Sequence, residues 1–328
     1  MRRSALRTAL CLWLLLALCA CAARNANSPA LLPRTSVRVG DAVLDYRDLG
    51  GPGRPLLLIT GYAVTMDMWD PVFVRQLAGD HRVILMDNRG MGTAKAPDGP
   101  ISIGQMAQDA IGLLEALGIA KADVLGWSMG GIIAQEMALA RPDLVGALAL
   151  CGTMSDSSGL MPVLDRMAAM PPEELKRAMF PKAWAAANPK ALSDLPGSAR
   201  PPDPDVVARQ YAALGQWRGT LRNLPDLRCP VLLLGGAEDW VSPPEKLQRM
   251  ARAIPGARLE LLIGAGHWMM HQYPQQMAQA VNEFLERTAA AQTAGAWSGF
   301  FGGLHPPRAP AHGLTLAAQG ERPGSSRP

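Results

Sequence analysis

Short apolar runs recur along this chain with amphipathic helical patterns between them, and that alternation constrains the fold more than any other feature. Residues 56–59, 83–86, 123–125, 148–150, 231–234 and 259–263 read as strands. They are apolar at nearly every position instead of every second one, as expected of parallel strands covered on both faces. Residues 36–39 and 43–46 predict an antiparallel start. Between strands, Ile103, Met106, Ala107, Ala110, Leu113, Leu114 and Leu117 keep the three-and-four spacing of one helical face, with Ser102 and Gln105 placed as a capping box. Ser242, Pro243 and Glu245 predict a second helix start, ending near Ile254, and Pro274 opens a last helix with Met277, Val281, Phe284 and Leu285 as its buried stripe. Strand–helix–strand repetition with right-handed crossovers predicts an α/β fold, a mostly parallel central sheet with helices on both faces.

The pattern covers residues 35–152 and 228–288, which are taken as the core. Residues 153–227 hold no convincing strand and carry Met154, Met161, Met167, Met170, Met179, Trp184, Trp217 and many prolines, so they predict a helical cap inserted between two strands. Residues 289–328, rich in Ala, Gly and Pro, predict a disordered tail.

The chain begins with an address. Arg2, Arg3 and Arg7 precede an apolar run from Ala9 to Ala23 that is too short for a membrane-spanning helix, which needs about 20 residues. A basic start, a short apolar stretch and small residues after it describe a signal peptide over residues 1–20, with 21–34 as a linker. Leu18-Cys19-Ala20-Cys21 resembles the lipobox of bacterial lipoproteins. That resemblance implies cleavage before Cys21, lipid on Cys21, and attachment to a membrane of the bacterial envelope, the outer more than the inner because Ala22 follows where an aspartate would favour inner-membrane retention. The same residues also fit ordinary cleavage after Ala22 and a periplasmic or secreted protein.

Charge and cysteines narrow the field further. The formal charge is +4, and three of the positives are the leader arginines, so nothing points to a nucleic-acid surface. Five cysteines are too few and too irregularly spaced for a disulfide scaffold or a zinc site. Cys151 ends one predicted strand and Cys229 precedes the next, which puts the sulfurs at opposite ends of the sheet, roughly 15 Å apart at about 3.3 Å per residue. A bridge needs Cα atoms within about 7 Å, so two free thiols are predicted. No phosphate loop, metal cluster or dinucleotide fingerprint appears, and no cofactor is expected.

The chemistry gathers at strand ends. Gly126-Trp127-Ser128-Met129-Gly130 follows the strand at 123–125 and precedes a helix at 132–140. A strand-to-helix turn this sharp needs residues without bulk two places either side of the serine, and it sets Ser128 at a helix N-terminus where negative charge is stabilised. A serine hydroxyl needs a base. Of the five histidines, His81 lies at the N-terminal end of its strand and His305 and His312 lie in the tail. His267, in Gly264-Ala265-Gly266-His267, follows the strand at 259–263 and emerges at the same edge as Ser128. His271, four residues on, could substitute but reads as a helix-entry or surface residue. Asp239, after the strand at 231–234, supplies the carboxylate that orients the base, with Glu238 as a solvated neighbour. Asp87 also ends a strand and reads as a structural partner of the Arg89-Gly90-Met91-Gly92 turn.

In motif order, Thr60-Gly61-Tyr62, Trp69, Asp87 to Gly92, the Ser128 turn, Gly236 to Asp239 and Gly266-His267 resemble an α/β-hydrolase with a helical cap, akin to the esterase, lactonase and C–C hydrolase group. Thr60 stands where the family has histidine, and Thr93 where serine is frequent. The resemblance implies a catalytic triad of Ser128, Asp239 and His267 and an oxyanion hole from the backbone N–H groups of Tyr62 and Met129. It implies a serine hydrolase, and the methionines and tryptophans of the cap predict an adaptable apolar pocket, hence a small-molecule carboxylic ester with an apolar portion. A serine at the elbow argues against the dehalogenase and epoxide hydrolase branches, which use a carboxylate there. Two other readings stay open: peracid formation at the same triad, as in cofactor-free haloperoxidases, and a ligand-binding protein without turnover.

Overall fold

The computed structural model describes residues 33–197 and 201–293; Cys21, the leader and the tail histidines lie outside them. β1 (Thr35–Val39) and β2 (Ala42–Asp48) form an antiparallel hairpin, followed by β3 (Pro55–Ile59), β4 (Arg82–Met86), β5 (Ala122–Trp127), β6 (Val145–Cys151), β7 (Val231–Gly236) and β8 (Arg258–Leu262). The helices, in chain order, are α1 (Pro71–Asp80), α2 (Ile103–Ala116), α3 (Met129–Ala140), α4 (Leu160–Ala169), α5 (Pro172–Ala178), α6 (Lys182–Ala187), α7 (Pro189–Ser193), α8 (Pro204–Gln216), α9 (Pro244–Ala253), α10 (Met269–Gln272) and α11 (Pro274–Thr293). The strands make one eight-stranded sheet in the order β1-β2-β4-β3-β5-β6-β7-β8, with β2 antiparallel to β4 and every pair from β4 to β8 parallel. The described residues up to Ala290 belong to one unit, and 291–293 begin another.

The uniform apolarity of the central strands has a simple origin. Successive side chains point to opposite faces, so in β3 Leu57 and Ile59 join α2, α3 and α9 on one side while Leu56 and Leu58 join α1, α10 and α11 on the other. Each fully buried Leu or Ile stabilises the sheet by about 2 kcal/mol. β8 departs from the expectation of a buried strand: all five residues are half-buried, and Ile263, expected within it, follows it and is exposed. As the edge strand it has a neighbour, β7, on one side only.

Local chemistry sets the helix starts. Asp70 caps α1, its carboxylate accepting from the N–H groups of Val72 (2.8 Å) and Phe73 (3.1 Å), and Ser102 caps α2 by accepting from Gln105 N–H at 3.1 Å. α9 starts differently from expectation. Pro243 occupies its cap position, and the Ser242 hydroxyl instead donates to the Thr153 carbonyl at 2.6 Å.

Five helices, α4 to α8, fill the interval between β6 and β7, with no strand among the described residues there. Their own core includes Met179, Phe180, Leu192 and Leu195, and Val241 of the following loop packs into it. Cys151 and Cys229 are both free and buried. Burial pushes the Cys151 thiol far above its ordinary value and the Cys229 thiol up to about 12, so neither serves as a nucleophile. Among the described residues, no helix is long and apolar enough to cross a membrane.

The strand order reverses at β3. The chain leaves β3 toward β4 on one side, returns to β5 on the other side of β3, and continues outward to β6. Connections that part in this way open a crevice beyond the carboxyl ends of the two strands. Thr60 and Ser128 are the first residues past those ends.

Candidate active site

Ser128 joins β5 to α3 with φ 56° and ψ −121°, a conformation that L residues rarely adopt. The surroundings over-determine it. Its N–H donates to the Cys151 carbonyl at 2.9 Å, and its carbonyl accepts from Gly131 N–H at 2.9 Å and from the Thr153 hydroxyl at 2.7 Å. The flanking glycines are required by close approach: a Cβ on Gly126 would collide with the Gly130 carbonyl, and one on Gly130 with the Ile59 carbonyl. The turn therefore fixes the hydroxyl at the crevice, half-buried, at the start of α3.

His267 and Asp239 reach the same point from two further strand ends. His267 Nε2 lies 3.1 Å from Ser128 Oγ, and His267 Nδ1 lies 2.8 Å from Asp239 Oδ2. The other carboxylate oxygen, Oδ1, accepts from the N–H groups of Val241 (2.8 Å) and Ser242 (2.9 Å), which aims Oδ2 at the ring. A carboxylate can only accept here, so Nδ1 carries the proton and Nε2 is left to accept from the serine hydroxyl. Trp127 braces the ring at a centroid separation of 5.3 Å, while its Nε1–H donates to the His267 carbonyl at 3.1 Å. Asp239 and His267 are buried, and Glu238 is exposed.

His271 stands apart from this relay. On α10 its ring is buried, contrary to a surface position, with Nδ1 3.5 Å from Asp70 Oδ2 and its ring edge-on to Trp268. Burial pushes Asp70 upward, but His271 and the N–H groups of Phe73 and Val72 outweigh it and hold the carboxyl below its ordinary range.

The loop after β3 carries Tyr62, which lines one cavity with Ser128, Met129 and His267. Asn88 Nδ2 donates to the Thr60 carbonyl at 3.2 Å, Ala63 N–H donates to Gln210 Oε1 of α8 at 3.0 Å, and Met66 N–H donates to Asp87 Oδ1 at 2.6 Å. Asp87 is thus a partner of this loop. Its other oxygen meets Arg34, which also bonds Asp67, whereas Arg89 of the glycine turn pairs with Asp109 at 2.6 and 2.7 Å. The expected contact between Asp87 and the turn survives as packing alone, with Gly92 lying against the carboxylate. Burial pushes the Asp87 carboxyl up to about 6, against the pull of Arg34 and Met66 N–H.

Four positioning side chains were not anticipated from sequence. Thr153 and Ser242 link the loops after β6 and β7, Gln210 ties α8 to the loop after β3, and Gln272 holds the His267 loop by accepting from Gly266 N–H (2.6 Å) and donating to the Gly264 carbonyl (3.1 Å). Gln210 left a trace: it is the polar member of the buried stripe Val206, Val207, Gln210, Ala213 and Leu214. Thr153 and Ser242 bond backbone atoms 25 and 89 positions away and leave none.

The cavity above Ser128 is walled by apolar side chains of the inserted helices, Leu160, Leu164, Met167, Leu175 and Met179 among them. Of the sulfur and indole side chains expected to shape it, Met154, Met167 and Met179 do so. Trp184 instead stacks on Phe180, and Trp217 donates to Glu136 at 2.8 Å.

The profile of the alpha/beta hydrolase family matches residues 56–280. A protein from Azorhizobium caulinodans bearing the name "Putative carbamate hydrolase RutD" is 32% identical over 75% of this chain and 94% of its own length. One from Mycobacterium tuberculosis, "Putative non-heme bromoperoxidase BpoC", is 30% identical over 75% of this chain and 99% of its own. Among solved structures, a thermophilic esterase from Thermogutta terrifontis is similar with a TM-score of 0.69 and 28% identity, over 78% of this chain and 99% of that one.

Proposed function

The chain belongs to the alpha/beta hydrolase family, and we propose that it is a serine hydrolase cleaving a carboxylic ester, or a related acyl substrate, with an apolar portion. The observation that carries this reading is the relay of 3.1 Å and 2.8 Å from Ser128 through His267 to Asp239 at the floor of an apolar cavity. Ser128 Oγ attacks the acyl carbon as its proton passes to His267 Nε2, and Asp239 stabilises the imidazolium that forms. The carbonyl oxygen becomes an oxyanion, held by the backbone N–H groups of Tyr62 and Met129, each donor lowering the barrier by about 3 kcal/mol. His267 returns the proton to the leaving alcohol, and water then repeats the sequence to release the acid and restore Ser128.

A panel of p-nitrophenyl esters from acetate to decanoate tests the reading. We expect turnover that rises with chain length and then falls, and that is lost in Ser128→Ala; a rate indifferent to chain length contradicts the apolar site. The relative named as a bromoperoxidase favours a second reading, in which the acyl-enzyme passes its acyl group to hydrogen peroxide and releases a peracid. Monochlorodimedone bromination with acetate, peroxide and bromide, exceeding ester turnover, would replace hydrolysis by that activity. A third reading, ligand binding without turnover, is the outcome if no ester or peracid chemistry depends on Ser128.

The proposal extends to location. The leader and the box ending at Cys21 support an exported enzyme held to the bacterial envelope through lipid on Cys21. Mass spectrometry of the mature N-terminal peptide is expected to show an acylated Cys21, and a free N-terminus at Ala23 would mean an exported but unanchored enzyme.

A further inference from the structure

In the loop after β3, the residue that follows Tyr62 is Ala63 with φ 59°, a conformation that an L residue keeps only under outside restraint. Three acidic side chains gather behind this loop. Asp87, just past β4, accepts from Met66 N–H at 2.6 Å, Asp67 is the next residue of the loop, and Asp45 of β2 accepts from Thr93 N–H at 3.0 Å. Asp45 and Asp87 are buried, and carboxylates so close together repel one another unless cations lie between them. Arg34 reaches all three. Its Nη1 bonds Asp87 Oδ2 and lies 3.8 Å from Asp45 Oδ2, while its Nη2 donates to Asp67 Oδ2 at 2.5 Å. Arg47 adds a second cation, donating to Asp67 Oδ1 at 2.7 Å. Burial pushes the Asp67 carboxyl upward, but Arg34 and Arg47 outweigh it and hold it below its ordinary range. Gly92, with φ 65°, leaves room for the pair: a Cβ there would collide with Asp87 Oδ2 and Arg34 Nη1. Arg34 itself immediately precedes β1, in the stretch that the sequence alone reads as linker.

We propose that Arg34 is a positioning residue for the oxyanion loop: its guanidinium bridges Asp87 at the end of β4 to Asp67 beyond Tyr62, and so keeps the Tyr62 N–H aimed at the developing oxyanion. The assignment rests on the serine hydrolase reading and adds a support from outside the family match, which begins at residue 56. A planar guanidinium holds two carboxylates in fixed directions, which an ammonium on a flexible stem does not. Misplacing an oxyanion donor weakens the transition state and leaves ground-state binding nearly unchanged. The segment ahead of β1 is thereby part of the support of the site, while Ser128, His267 and Asp239 do the chemistry.

The test measures p-nitrophenyl butyrate hydrolysis by the full chain, with active sites counted by fluorophosphonate titration so that unfolded protein does not enter kcat. Arg34→Lys is expected to lower kcat about tenfold and Arg34→Ala about 30-fold, each with KM within about twofold of wild type. A trifluoromethyl ketone of matched chain length forms an adduct on serine that carries the same oxyanion. Its affinity should fall by the same factor as kcat/KM. Where Arg34→Ala does not fold, Arg34→Lys, which keeps the charge, decides by the same two readouts. A merely structural role would lower the number of titratable sites and the thermal midpoint without moving kcat per site. That result, an effect confined to KM, or full activity in Arg34→Lys and Arg34→Ala alike overturns the assignment. A folded wild-type chain that turns over no ester and takes no label overturns the hydrolase reading itself, a result distinct from a silent Arg34 substitution.

Discussion

The carboxyl edge of the sheet and the helices inserted between β6 and β7 solve opposite problems with the same polymer. At the edge, three side chains that follow different strands are held by directional bonds: Ser128 through its backbone to Cys151 and Gly131, Asp239 by the N–H groups of Val241 and Ser242, and the His267 carbonyl by the Trp127 indole N–H. Directional bonds between rigid elements fix atoms closely enough for proton transfer. The inserted helices hold their ligand-facing surface largely with methionine and leucine, whose contacts are non-directional and tolerate repacking. The edge should therefore set whether a bond is broken, and the insertion which bond. Substitutions at the edge should strike kcat, and substitutions in the insertion should move ratios between substrates.

The sharpest break is Ser128→Ala, for which we expect ester kcat to fall on the order of 10⁴-fold or more with thermal stability preserved, since the removed oxygen is not part of the bonds that fix the turn. Asp239→Asn follows, expected to lower kcat by roughly 10³- to 10⁴-fold by disturbing the tautomer of His267; retention of more than a tenth of the activity would mean that another group orients the ring.

Gln210→Leu tests the seam between the two regions. It removes the acceptor of Ala63 N–H beside Tyr62, and kcat is expected to drop about 10- to 100-fold with KM little changed. An effect confined to KM would make Gln210 part of the substrate wall and not a support of the oxyanion loop.

Within the insertion, Met167→Trp fills part of the cavity and should lower the octanoate-to-acetate ratio of kcat/KM by roughly tenfold. Equal loss for both esters would place Met167 outside the acyl path.

The last effect is on stability and concerns pH. Asp87 binds its proton more tightly in the folded chain, its carboxyl lying at about 6 against 3.8. Its contribution to stability is thus full below about pH 3.8 and lost as pH rises through about 6. Asp87→Asn mimics the protonated acid, so its stability relative to wild type should improve from pH 4 to pH 7 by on the order of 3 kcal/mol at most. Urea midpoints of the two proteins at several pH values measure this, and a constant difference between them would contradict it.

Much of the edge was legible in the sequence because its signals are local. Apolar runs at 56–59 and 83–86 can hide both faces only inside a parallel sheet, and Gly126 and Gly130 betray the tight turn at Ser128 before any coordinate is known. Asp239 and His267 follow from their places after strands. The supports were less visible: Thr153 and Ser242 serve backbone atoms of other loops, and the Ser242 position imitates a helix cap while its hydroxyl goes elsewhere. Asp87 illustrates the same limit, since its main partners, Arg34 and Met66, come from segments that only tertiary folding brings near. Of the insertion, helicity was evident, but which methionines face the cavity depends on packing that periodicity over short helices does not fix.

The central claim is that Ser128 is activated by His267 and Asp239 into a nucleophile. Reaction of the folded protein with a fluorophosphonate probe, followed by peptide mass mapping, tests it most directly. We expect one adduct, on Ser128, absent in Ser128→Ala and formed at least 100-fold more slowly in His267→Ala. A folded wild-type chain that takes no label, or labels with equal speed without His267, would contradict it.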